Sequence, residues 1–241
     1  MESAQKFIAI VPAAGVGKRM QANCPKQYLC INNKTILTHT VMRLLSHPLI
    51  SQVIIALSGD DQYFAESQLT HHKDIIRVNG GTERVNSVLS GLHAVDREKY
   101  PWVLVHDAAR PCVSHQDIDK LIHQCLSNDC GGILATPVRD TMKRGVLTKD
   151  NAKGDSSTIE HTVEREQLWH ALTPQLYKTD ELTLAIEQAL ANDLKITDEA
   201  SAIEYANLPS LLVSASSENV KITHPNDLAL AEFYLNKQAN S

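Results

Sequence analysis

The 241-residue chain carries 23 Lys and Arg against 28 Asp and Glu, a formal net charge of −5 at pH 7, with 43% apolar residues. That balance excludes a bulk nucleic-acid or anionic-membrane binder, so any anion site must be local. The size suits one core and a single domain, residues 1–241. No apolar run reaches the ~18 residues that a bilayer span requires. The N-terminus lacks a basic segment ahead of a long apolar one, so a cytoplasmic location is expected. Cys24, Cys30, Cys112, Cys125 and Cys130 form an odd set without a CxxC pair. They read as reduced thiols rather than as a disulfide framework or a zinc site.

In chain order, short apolar or β-branched runs predict strands at residues 7–11, 53–57, 75–78, 102–105 and 132–135. Amphipathic stretches between them predict helices near 36–46, 61–70, 83–95 and 114–126. This alternation is that of an α/β chain with a parallel sheet covered on both faces. After Pro137 the pattern breaks. The segment "VRDTMKRGVLTKDNAKGDSSTIEHTVERE" is too polar for a buried strand, yet keeps β character on either side of a turn-rich middle. A projecting hairpin is predicted there. Helices near 180–191 and 198–206, strands near 211–213 and 220–222 and a helix at 226–235 complete the reading.

In an open parallel sheet, ligands sit at the carboxyl ends of the strands, where loops expose unpaired N–H groups. The first strand runs into "PAAGVGKRMQANCPKQYL" at such a place. Gly15 and Gly17 let the backbone approach a phosphate, and Lys18, Arg19 and Lys26 add positive charge. A Walker loop needs Ser or Thr after Gly17-Lys18, where Arg19 stands, and a dinucleotide fingerprint needs a glycine where Met20 stands. A phosphate cradle outside both templates and a plain turn with solvated lysines remain open. In "WVLVHDAARP", Asp107 leaves the fourth strand with Arg110 close behind, which suits either a helix cap or an acid holding Mg²⁺ beside a phosphate-gripping base. In "VNGGTERVNSVLSGL", Gly80, Gly81, Thr82 and Ser87 form either a base-reading turn or an ordinary one. The adjacent His71 and His72 are expected at the surface, because neighbouring side chains diverge on regular elements.

Together, "PAAGVGKRM", "PKQYL", "GGTERVNSV", "HDAARP", "PVRDTMKR", "HTVERE", "LWHALTPQ", "ITDEAS" and "NVKIT" resemble the 2-C-methyl-D-erythritol 4-phosphate cytidylyltransferase family, in the family's order and over nearly the whole chain. "PAAGVGKRM" and "HDAARP" alone would indicate only the wider sugar-phosphate nucleotidyltransferase group. The later motifs narrow the likeness to this activity and its ribitol-phosphate relative. A departure falls at Thr82, where members carry an acidic residue.

The resemblance implies a Rossmann-like, mainly parallel sheet flanked by helices, with an arm at about residues 137–166. It implies transfer of CMP from CTP to methylerythritol phosphate, with Mg²⁺ or another divalent cation. The alternative substrate is ribitol 5-phosphate; a nucleotide-binding regulatory module without turnover would lack Lys26, Asp107 or Arg165, all of which are present. By resemblance, Arg19 and Lys26 stabilise the charge on the α-phosphate, Gly15 and Gly17 wrap the triphosphate, Lys18 screens its charge, and Ala13, Ala14, Gly80, Gly81, Thr82 and Ser87 receive the nucleoside. Asp107 helps to hold the metal complex. Arg110, Thr141, Arg165, Thr173, Thr197 and Lys221 hold and aim the sugar phosphate. The acceptor needs no enzymic base, because a phosphate monoester with a second pKa of about 6 is already ionised at neutral pH. The arm is implied to clasp a second subunit of a homodimer and to deliver Thr141 and Arg165 into its pocket.

Overall fold

The computed structural model describes residues 5–15, 24–150 and 154–240. Its strands are β1 (Phe7–Pro12), β2 (Cys30–Ile31), β3 (Lys34–Thr35), β4 (Ile50–Leu57), β5 (Ile75–Asn79), β6 (Trp102–Val105), β7 (Gly132–Pro137), β8 (Met142–Asp150), β9 (Gly154–Val163), β10 (Trp169–Lys178) and β11 (Leu211–Ser214). The helices are α1 (Ile36–Leu45), α2 (Arg84–His93), α3 (His115–Ser127), α4 (Thr179–Ala191), α5 (Glu199–Tyr205) and α6 (Asn226–Ala239).

Seven strands form the main sheet in the order β11-β7-β10-β6-β1-β4-β5. β1 lies at its centre, parallel to β4 and to β6. Its residues alternate between two cores, as the period of two in a strand requires. Phe7, Ala9 and Val11 join α1 and α3 on one face, while Ile8 and Ile10 join α2, α4 and α5 on the other. A third, smaller core packs α6 against Ile31, Ile36, Ala109, Cys112 and Ile222. The chain steps outward from β1 through β4 to β5 and then returns to β6 on the opposite side of β1. Parallel strands that diverge in this way open a crevice at their carboxyl ends.

The expected α/β class holds, with three corrections. β10 has no counterpart in the expected elements and runs antiparallel to both β6 and β7. An internal proline argues against a central strand. Here Pro174 sits where the pairing with β7 jumps from Ala171↔Ala135 to Gln175↔Ile133, so the bulge accommodates it. Residues 61–70 do not form a helix; only a short 3₁₀ turn, Phe64–Glu66, is present. Asp61 Oδ1 accepts the N–H groups of Tyr63 and Phe64, and Thr70 Oγ1 donates to the Phe64 carbonyl, so side chains satisfy backbone groups that a helix would have paired. Residues 220–222 are no strand and hold their place through Ile222 N–H donating to Ala109 O.

The hairpin after Pro137 is present as β8 and β9, paired antiparallel in a two-stranded sheet of their own. Val146 and Ile159 on it are 46% and 68% exposed. Among the described residues, no helix is long and apolar enough to cross a membrane.

Candidate active site

The carboxyl ends of β1, β5 and β6 converge on a cavity of about 310 Å³ lined by Ala13, Ala14, Gly15, Lys26, Gly81, Thr82, Arg84, Ser87, Asp107 and Lys221, among others. Gly80 stands behind this wall rather than on it. A Cβ there would meet the Ala14 side chain at 2.6 Å and Ser87 Oγ at 2.8 Å, so glycine lets the two loops touch. Ala13 donates its N–H to Ala56 O and accepts from Gln27, so both of its backbone groups are engaged. The Gly81 N–H donates to Ser87 Oγ, and the Ser87 hydroxyl donates to Glu83 O. Thr82 bonds Asn86 at the start of α2. Gly17, Lys18 and Arg19 lie outside the described residues.

A 3₁₀ turn over Lys26–Tyr28 braces this loop from below. The buried Gln27 amide donates to Ala13 O at 2.7 Å and to Gly15 O at 3.1 Å. One primary amide therefore sets the spacing of two loop carbonyls, and with it the direction of the N–H groups between them. Lys26 Nζ faces the cavity and donates to Ile222 O at 3.0 Å.

Asp107 leaves β6 into the middle of the crevice. Its Oδ1 accepts from Arg84 Nε at 3.0 Å, and its Oδ2 lies 2.7 Å from Lys221 Nζ and 3.6 Å from Arg110 Nε. Burial alone would raise the Asp107 pKa, but Arg84, Lys221 and Arg110 outweigh it and hold the carboxyl far below the usual carboxylate range. Arg84 also grips Glu199, which is 1% exposed, with a bidentate pair of bonds at 2.6 and 3.0 Å. Burial would lower the Arg84 pKa; Glu199 and then Asp107 reverse that and raise it above the ordinary guanidinium value. Burial lowers the Arg110 pKa below its usual value, with Asp107 opposing the shift.

Asp107, Arg84 and Lys221 also line a second cavity of about 280 Å³, together with Arg110, Thr173, Thr197, Gln175 and Asp198. The β10 register explains Thr173: Gln175 pairs with Val105, so two residues earlier on the antiparallel strand falls opposite Asp107. Thr173 Oγ1 accepts the Asp107 N–H at 3.0 Å and lies 3.0 Å from His106 Nδ1. Arg110 donates to Asn219 O, and Asn219 Nδ2 donates to Thr173 O. The buried atoms Arg110 Nε and Asn219 Oδ1 have no hydrogen-bond partner among the described residues. Thr141 and Arg165 line neither cavity. Both are exposed, and the Arg165 guanidinium donates to Arg139 O on its own arm.

Asp107 was expected to help hold the metal complex of the nucleotide. Both of its oxygens face cations, and among the described residues no group of three or more His, Cys, Asp or Glu could hold an ion. Sequence reasoning also missed Gln27, Arg84, Asn219 and Glu199. Arg84 and Glu199 are 115 residues apart and carry no motif as a pair. The available signal was that all four lie inside stretches that carry the family resemblance: Gln27 in "PKQYL", Arg84 in "GGTERVNSV", Glu199 in "ITDEAS" and Asn219 in "NVKIT".

This arrangement joins a glycine-lined cavity to a cation-lined one across a single ionised carboxylate. The model of the 2-C-methyl-D-erythritol 4-phosphate cytidylyltransferase family matches residues 7–237. A curated relative of that name from Colwellia psychrerythraea is 86% identical over 241 residues, covering 100% of this chain and 99% of its own length. One from Vibrio vulnificus is 57% identical over 238 residues, covering 98% and 97%. The crystal structure of the Francisella tularensis 2-C-methyl-D-erythritol 4-phosphate cytidylyltransferase superposes with a TM-score of 0.80 at 36% identity, over 95% of this chain and 99% of that one. With the match running from the start of β1 into α6, the chain belongs to the 2-C-methyl-D-erythritol 4-phosphate cytidylyltransferase family.

Proposed function

We propose that the protein transfers CMP from CTP to 2-C-methyl-D-erythritol 4-phosphate, releasing pyrophosphate and forming 4-diphosphocytidyl-2-C-methyl-D-erythritol. The observation that carries this reading is the pair of adjoining cavities that share Asp107, Arg84 and Lys221. One suits a nucleotide on loop amides, and the other suits a phosphorylated polyol on cations and hydroxyls. CTP enters as its magnesium complex, the ion riding on the triphosphate as part of the substrate.

The barrier lies in bringing an anionic phosphate oxygen to the α-phosphorus of CTP opposite the departing pyrophosphate, so positioning and positive charge dominate. Lys26, at the floor of the nucleotide cavity, and Arg19 stabilise the charge that builds on the α-phosphate. Arg110 and Lys221 draw the acceptor phosphate into line, and Thr197 borders it. Asp107 keeps Arg84, Arg110 and Lys221 converged, so that three like charges stand together before substrate arrives. Thr173 supports the acceptor pocket through Asp107, because its hydroxyl is already engaged. The arm of a second subunit supplies Thr141 and Arg165. A homodimer is supported by a hairpin that makes a sheet apart from the main one while exposing Val146 and Ile159.

Pyrophosphate release should require CTP and methylerythritol phosphate, with UTP and ribitol 5-phosphate poor substitutes. Equal kcat/KM for methylerythritol and ribitol phosphates would overturn the acceptor assignment.

A further inference from the structure

We propose that His106 is a positioning residue that fixes Asp107 and Arg110 relative to each other through Thr173, so that the nucleotide and acceptor cavities keep one geometry. His106 is the first residue beyond β6 and is 0% exposed. Its N–H donates to Ile10 O on β1, which holds the residue against the central strand. The ring then reaches in two directions. Nε2 lies 2.9 Å from the Arg110 carbonyl, and a carbonyl only accepts, so Nε2 carries the proton. Nδ1 of the neutral ring is therefore an acceptor and takes the Thr173 hydroxyl proton across 3.0 Å. The Thr173 oxygen in turn accepts the Asp107 N–H at 3.0 Å.

The Arg110 N–H donates to the Asp107 carbonyl at 3.1 Å, which closes the turn from 107 to 110. Both ends of that turn thus converge on one imidazole, the near end through Thr173 and the far end directly. A buried apolar residue would fill the same space but would strand the Arg110 carbonyl and leave the Thr173 hydroxyl without its acceptor. The turn matters because its first side chain gathers Arg84, Arg110 and Lys221, while its last enters the acceptor cavity. His106 touches neither cavity and acts only through these neighbours.

The two ring nitrogens can be tested separately. Gln at 106 keeps a donor for the Arg110 carbonyl and loses the partner of Thr173; Asn keeps an acceptor for Thr173 and loses the Arg110 brace. H106Q should lower kcat about tenfold; T173V, which removes the same hydroxyl link and also leaves the Asp107 N–H without its acceptor, should lower it at least as much, and the double variant should fall no further than T173V alone. H106N should instead raise KM for methylerythritol phosphate about tenfold with kcat within about threefold of wild type. A residue that merely supported folding would lower apparent kcat in proportion to the folded fraction and leave KM unchanged. Indistinguishable profiles for H106N and H106Q, or additive losses in the double variant, would overturn the proposal. Should H106Q fail to fold, T173V cuts the same link together with the Asp107 N–H bond, and wild-type kinetics in T173V would overturn the proposal equally.

The kinetic arm rests on the CMP-transfer reading. A wild-type enzyme without that turnover would break the reading, whereas ¹⁵N-edited NMR of the wild-type ring tests the brace independently. An Nε2–H tautomer whose Nδ1 resonance shifts in T173V supports it, and an Nδ1–H tautomer contradicts it.

Discussion

The crevice around Asp107 and the hairpin of β8 and β9 both carry residues that the family resemblance assigns to the same substrate, yet they are built in opposite ways. In the crevice, most polar atoms that face Asp107 are engaged, and the groups that hold them come from β6, β10, α2 and α5. Thr141 and Arg165, which flank the hairpin, are exposed, and among the described residues its two strands pair only with each other. On the reading proposed above, one half of the site is preorganised within the chain, while the other half is completed by a second subunit.

The comparison is most severely stressed at Lys26. Lys26→Ala should lower kcat by about 10² or more with a smaller change in CTP affinity, as loss of a preorganised transition-state contact does. Steady-state kinetics on folded variant would check this, and near-normal kcat would remove Lys26 from the chemistry.

Of comparable size is the stability difference between the halves. Arg84→Met strands the buried Glu199 carboxylate and takes one of three cations from Asp107, which keeps Lys221 and Arg110, and should cost about 3–5 kcal/mol in urea unfolding. Arg165→Ala, on the exposed arm, should stay within about 0.5 kcal/mol of wild type. Similar losses for the two would erase the distinction.

A smaller effect sharpens it at the nucleotide loop. Gln27→Glu keeps the shape but turns an amide donor into an oxygen facing the Ala13 and Gly15 carbonyls, a cost of about 1–3 kcal/mol. KM for CTP should rise about tenfold or more, while KM for methylerythritol phosphate holds; an unchanged KM for CTP would show that Gln27 does not set the loop.

What could be read from the sequence follows the same division. The rims of β1, β5 and β6 were legible because β-branched runs end in glycines or an acid, a pattern that parallel strands impose locally. β10 was not, because Pro174 sits inside it and its place between β6 and β7 depends on a bulge that only the paired strands define. The stretch at 61–70 has helical periodicity, but Asp61 and Thr70 bond the backbone in competition with it. Asp107 was found as an acid at a strand end, whereas its place as the anchor of a cation cluster of Arg84, Arg110 and Lys221 comes from long-range folding. Thr141 and Arg165 were visible through family likeness alone, since nothing in a polar hairpin marks a residue proposed to act in another chain's site.

The central claim, a rigid half-site completed by a partner's arm, is tested most directly by mixing two dead variants. Lys26→Ala keeps an intact arm and Arg165→Ala keeps an intact crevice. Co-expressed with different tags and purified by tandem pull-down, each mixed dimer should contain one site built from the good crevice of one chain and the good arm of the other. The account predicts roughly half of wild-type CMP transfer per mixed dimer, because one of two sites is whole. Activity no higher than that of the separate variants, in mixed dimers confirmed by both tags, would contradict it.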